Sequence, residues 1–138
     1  MKFRIGMCLL VSVMVCAAVA QQDSTKPAMR EGKSVKMAVS SQAVEMREAD
    51  AEKATVVTVA ADGNLFLGIR LVRLSDLAQL NAQTVYVKAD ARASYQDILR
   101  VLDALRGRSV VLLTASPSHV EATGIMPPYG VRVMLGRQ

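Results

Sequence analysis

The chain has 138 residues, room for one domain with accessories. It is 51% hydrophobic with a mean hydropathy of +0.26. Its 17 basic and 12 acidic residues give a mild net charge of +5. With no Trp, two Phe and three Tyr, it lacks the basic stripe with stacking aromatics that a nucleic-acid surface needs. Both cysteines, Cys8 and Cys16, lie in one N-terminal apolar run, so the rest of the chain offers no disulfide framework, thiol nucleophile or cysteine metal site.

Lys2 and Arg4 form a basic start, residues 5–20 carry no charge, and Ala18-Val19-Ala20 is followed by the polar Gln21-Gln22-Asp23. This order describes a secretory signal peptide over residues 1–20. The run of 16 residues falls short of the ~20 that span a bilayer comfortably. An uncleaved N-terminal anchor is the alternative, and a lipid-modified Cys16 is a third reading that the bulky Val15 before it argues against. Removal of residues 1–20 leaves 15 basic against 12 acidic residues, a net charge of +3.

Residues 21–53 read as a flexible tether, because their aliphatic positions are sparse and too little apolar area is available to offset ordering entropy. Within it, residues 34–39 alternate polar with apolar, as in an edge strand or one that forms on binding. Residues 44–53 are rich in helix formers but lack an apolar stripe.

The folded domain is expected over residues 54–138. Residues 55–60 form a strand by β-branched content, Asp62-Gly63 a tight turn, and residues 64–68 the return strand of a hairpin. Residues 74–80 form a short helix with Ser75 as its cap. Residues 84–88 form a compact strand. Residues 94–106 form the clearest helix: Ser94 and Asp97 cap its start, Tyr95, Ile98, Leu99, Leu102 and Leu105 share one face, and Gly107 supplies the exit. Residues 109–114 form a strand whose Val110-Val111-Leu112-Leu113 is continuously apolar, which suits an inner strand. Pro117, Pro127 and Pro128 bound an irregular loop, and Val131, Val133 and Leu135 alternate along a final strand.

This predicts a mixed α+β fold in the order β-β-α-β-α-β, with two helices on one face of a four- to five-stranded mixed sheet. The unit over residues 84–114 places two parallel strands about a right-handed crossover.

The inventory for catalysis is thin, and the reading is of a domain that is not an enzyme and uses no cofactor. His119, the single histidine, sits in a loop and reads as solvated. No Gly-x-Ser-x-Gly and no phosphate-cradling loop occurs. Asp90, Asp97 and Asp103 are close in sequence, but Asp97 suits a helix start and Asp103 a wet face. Met126-Pro127-Pro128-Tyr129 reads as a loop closure rather than a polyproline contact.

The spacing of several segments resembles the ExbD/TolR family. Val56-Val57-Thr58-Val59, Asp62-Gly63 and Leu65-Phe66-Leu67 are similar to that family's opening hairpin. Val85-x-Val87-Lys88-Ala89-Asp90, then Ser94-Tyr95, then Val101-Leu102-Asp103-Ala104-Leu105 follow in the same order. Residues 34–39 are similar to the short segment those proteins carry after their membrane anchor, and the resemblance covers residues 34–116. It marks Asp62, Gly63, Asp90, Tyr95 and Asp103 as family-matched positions, structural or partner-contacting, with no catalytic, cofactor-binding or metal residue.

The resemblance implies a homodimer that works with ExbB/TolQ-, TonB- or TolA-like envelope partners. It also implies a periplasmic domain that supports energy-dependent transport. The family's proton use depends on an Asp in its membrane helix, and residues 5–20 contain no acidic side chain. The expected role is therefore an exported, periplasmic protein-binding accessory, with membrane contact only if the N-terminal run is retained. A membrane-anchored subunit of a proton-driven motor is the first alternative. A small-ligand-binding or enzymatic periplasmic domain, with a pocket lined by His119 and Asp90, is the second.

Overall fold

The computed structural model describes residues 32–117 and 126–135. The expected signal peptide or anchor, His119 and most of the proline-bounded loop lie outside the described residues.

A seven-stranded mixed sheet organises the domain, in the spatial order β1-β7-β6-β5-β2-β3-β4. The strands are β1 (Val44–Glu45), β2 (Thr55–Val59), β3 (Leu65–Leu67), β4 (Arg70–Val72), β5 (Thr84–Ala89), β6 (Ser109–Thr114) and β7 (Tyr129–Val133). The central trio β2, β5 and β6 is parallel, in register at Val57↔Val87 and Val87↔Leu112, and the remaining pairs are antiparallel. The expectation of four to five strands was too low. The two extra elements are β4, formed when the chain turns back at Gly68-Ile69, and β1, a two-residue strand at the far edge.

Two helices, α1 (Leu74–Ala78) and α2 (Tyr95–Ala104), lie on one face of the sheet. The arrangement follows from the period-2 pattern of the strands. Val57 and Val59 of β2, Val85 and Val87 of β5 and Val110 of β6 point to the helices, where they meet Leu77, Val101 and Leu105. Leu77 and Leu105 are fully buried. Ser94 caps α2 as the sequence suggests: the Asp97 N–H donates to Ser94 Oγ at 3.1 Å. Gly107 leaves the helix at φ +89°.

The start of α1 differs from expectation. Arg73, not Ser75, is its N-cap residue, and the Arg73 N–H donates to Asp76 Oδ2 at 2.8 Å. The carbonyls of Ala78, its last residue, and of Leu80 just beyond it accept from Arg108 Nη2 at 2.9 and 2.7 Å, a cation set where the helix dipole is negative.

The opposite face carries a smaller core. Tyr86, Val111 and Leu113 meet Met46 and Ala49, with Met37, Ala54 and Val56 alongside. Met46 and Ala49 come from β1's exit and a 3-10 turn, Arg47–Asp50. The second half of residues 21–53 thus packs against the sheet, although it has no helical stripe of its own.

Candidate functional site

Two places in this fold present chemistry that the packing leaves unused: the outer edge of β7, and the C-terminal ends of the parallel strands.

β7 is bonded to β6 along its whole length, from Thr114↔Tyr129 to Val110↔Val133. On its other side β1 covers only Tyr129 and Gly130. The Met46 N–H donates to the Pro128 carbonyl at 2.7 Å, so the backbone groups of Pro128 and Gly130 face β1. Alternation along an antiparallel strand then aims the N–H and C=O of Arg132 outward. No strand covers them among the described residues. Beside them Arg132 is exposed and Met134 is 95% exposed, while Val131, Val133 and Leu135 are half-buried. At the opposite edge, β4 exposes Leu71, and Ile69 stands open in the turn before it. An open edge with apolar neighbours is what an added strand needs: main-chain hydrogen bonds for affinity and side-chain contacts for selection.

At the ends of the parallel strands stands Asp90, only 3% exposed. Its N–H donates to the Val59 carbonyl at 2.8 Å, which extends the β2–β5 pairing by one residue. Its carboxylate accepts four hydrogen bonds. Oδ1 takes the Arg92 N–H at 2.9 Å and Nε at 3.0 Å, and Oδ2 takes Arg92 Nη2 at 3.1 Å and the Lys36 N–H at 3.2 Å. The Arg92 side chain, then its backbone N–H, hold the Asp90 carboxyl well below the usual carboxylate range. Burial opposes them and the Lys36 N–H adds to them. A carboxylate so thoroughly bonded is a fastening, not a proton carrier at neutral pH.

The other family-matched positions have structural work close at hand. Asp62 closes the β2–β3 turn, accepting from the Asn64 N–H at 3.1 Å and Nδ2 at 2.8 Å. Gly63 takes φ +81° in the same turn and lies against Asp97. Asp103 pairs with Arg106 on the wet face of α2. Tyr95 opens α2 and is 76% exposed, although its spacing placed it on the apolar face. The structure brings Asp62 and Gly63 together, and leaves Asp90, Tyr95 and Asp103 apart from them in role.

Lys88 was singled out only as part of a motif. It sits on the smaller-core face, between Thr58 and Leu113 in the neighbouring strands, and burial lowers its pKa. No acidic group pairs with it among the described residues.

One open cleft of about 320 Å³ lies between the β2–β3 turn, the β4–α1 junction and α2, with Arg73, Asp97 and Arg100 at its rim. It does not include Asp90, and His119, the other residue of the pocket imagined for a ligand-binding or enzymatic domain, lies outside the described residues. Among the described residues no group of three or more His, Cys, Asp or Glu side chains is placed to hold a metal, and no helix is long and apolar enough to cross a membrane.

Comparison with known families places a match over residues 5–116, to the model described as "Biopolymer transport protein ExbD/TolR". No curated protein matches the chain.

Proposed function

We propose, for a chain that belongs to the ExbD/TolR family of biopolymer transport proteins, the role of a protein-binding periplasmic domain that recruits partners by strand addition. The family is non-enzymatic, envelope-associated and part of TonB/Tol-type energy-transducing transport, where its members work with ExbB/TolQ and TonB/TolA partners. The observation that carries the reading is the edge of β7 from Val131 onward, uncovered among the described residues and set beside the exposed Met134. A second copy of the chain, or an extended segment of an envelope partner, would bond to Arg132 and rest on Met134. The proposed organisation keeps residues 1–20 for export, 21–53 as the connection and 54–138 as the binding domain. The absence of an acidic side chain in residues 5–20 supports an accessory role over proton conduction.

A second reading is favoured by one observation: the family match begins at Ile5, inside the apolar run, not at the folded domain. On that reading the run stays attached and the chain is an anchored subunit. Mass spectrometry of the protein recovered from cells separates the two, because a chain that starts at Gln21 removes the anchored form.

The test of the main reading is crosslinking in the envelope followed by pull-down, with the wild-type chain beside Arg132→Pro. The proline removes the outward N–H and leaves the β6 ladder its bonds. Wild type is expected to recover a homodimer, a motor subunit or an envelope partner, and the variant to lose it. Recovery of none of these by wild type, or equal recovery by both, overturns the reading.

A further inference from the structure

Residues 33–39 cross the smaller-core face of the sheet and end in a slot between the C-terminal ends of β5 and β6. Lys33 Nζ stands 5.4 Å from the centre of the Phe66 ring on β3. The Lys36 N–H reaches Asp90, and the Lys36 carbonyl accepts from the Ala91 N–H at 2.7 Å. Two residues on, the Ala38 carbonyl accepts from the Ala115 N–H at 2.9 Å, and Val39 bridges Ala115 in parallel. The segment therefore fills the gap where β5 and β6 diverge after Lys88↔Leu113.

Hydrophobic burial does little to keep it there. Lys33, Ser34, Lys36 and Ala38 are exposed, Val39 is 62% exposed, and Val35 and Met37 are half-buried. What fixes the segment is a few directed bonds, and the charged one ends on Asp90. That carboxylate is buried, engages its own neighbour Arg92 through both oxygens, and keeps one further lone pair for Lys36, 54 residues away in sequence. Hydrogen bonds to a charged group are about twice as strong as neutral ones. A strap held this way opens locally, because segments with few buried apolar contacts open at a cost far below global unfolding.

We propose that Asp90 is the clasp of a releasable strap, residues 33–39, which fastens the N-terminal part of the chain to the ends of β5 and β6. Docked, the strap occupies the slot. Undocked, it leaves the Ala91 and Ala115 N–H groups and one lone pair of Asp90 Oδ2 free at a strand-accepting gap. Asp90 is then a positioning residue: it sets the fraction of molecules with the strap in place and needs no contact with a partner. The inference does not rest on strand addition at β7, since it concerns the opposite end of β5 and β6 and a contact within one chain.

Hydrogen exchange and trypsin cleavage after Lys36, measured on the full chain in mild detergent, test it. Asp90→Ala is expected to speed exchange at Ala91 and Ala115 and cleavage after Lys36 by about tenfold. Exchange within β5 and β6 should stay at wild-type rates. Asp90→Asn, which keeps an acceptor but loses the charge, should fall between. Lys36→Pro removes the donor while leaving the Asp90–Arg92 pair, and serves where Asp90→Ala does not fold; it should raise exchange at Ala115 by a similar factor. Wild-type exchange at Ala115 in a folded Asp90→Ala or Lys36→Pro protein overturns the proposal. So does equal acceleration throughout β5 and β6, which marks general destabilisation.

Discussion

Replacing Gly63 by alanine tests how the β2–β3 turn is joined to α2. Gly63 sits at φ +81°, where a side chain costs about 1–2 kcal/mol. A Cβ there would also lie 2.8 Å from Asp97 Oδ2 and 3.3 Å from its Cγ. Asp97 is not free to swing away. The Ser94 hydroxyl donates to the same Oδ2 at 2.7 Å, the Asp97 N–H donates back to Ser94 Oγ, and Arg100 stands 3.6 Å from the other oxygen. Displacing it loosens the first turn of α2 and adds about 1 kcal/mol, the low end of overpacking costs. Gly63→Ala should therefore lose about 2–3 kcal/mol in total. In an Asp97→Ala background only the backbone strain remains, so the same replacement should lose about 1–2 kcal/mol. Urea denaturation followed by far-UV circular dichroism, with matched slopes across the four proteins, measures the cycle. A loss equal in both backgrounds refutes the steric link to Asp97, and a loss below about 0.5 kcal/mol refutes the strain as well.

Other outcomes follow from the same geometry. Leu105→Ala removes a fully buried side chain between α2 and the sheet and should lose about 2–5 kcal/mol by urea denaturation. Thr114 Oγ1 is buried without a hydrogen-bond partner among the described residues, so Thr114→Val should be neutral or gain up to about 1 kcal/mol in the same assay. For Lys88 the sign is set by burial. Its folded pKa lies below the ordinary ~10.4, so between the two values the unfolded chain binds more protons and stability rises with pH. Lys88→Met should abolish that rise in a denaturation series from pH 8 upward. For Asp90 the folded pKa is also depressed, so its contribution is present above the ordinary ~3.9 and is lost as pH falls below it. The stability difference between wild type and Asp90→Asn, read by urea denaturation, should shrink on acidification through that range.

The unit from β5 to β6 was legible because its signals are local. Ser94 and Asp97 mark a helix start, Leu102 and Leu105 fall on one face, and a continuous Val-Val-Leu-Leu run marks a covered strand. β4 was missed because Gly68 looked like an end, and three residues carry too little periodicity to announce a strand. β1 exists only by virtue of β7, and Met46 is buried by the sheet it meets rather than by any pattern around it. Asp90 was marked by family spacing, but its bond to Lys36 spans 54 residues and leaves no trace in either neighbourhood. The free side of β7 was likewise unreadable, since it depends on where β1 stops.

Among the described residues the sheet sets its earliest strand beside its latest, Val44 against Gly130. A ribosome or a translocation channel delivers those two partners at opposite ends of the job. β1 has no berth until β7 has emerged and zipped onto β6. Pairings between remote stretches form slowly, because loop closure comes before any reward in contacts. The parallel centre can assemble first, and β1 must wait for its hydrogen-bonding partner until Tyr129 and Gly130 arrive. Chains cut short before Tyr129 should therefore keep their helices and inner strands yet leave the stretch around Val44 and Glu45 unpaired, where proteases find it early.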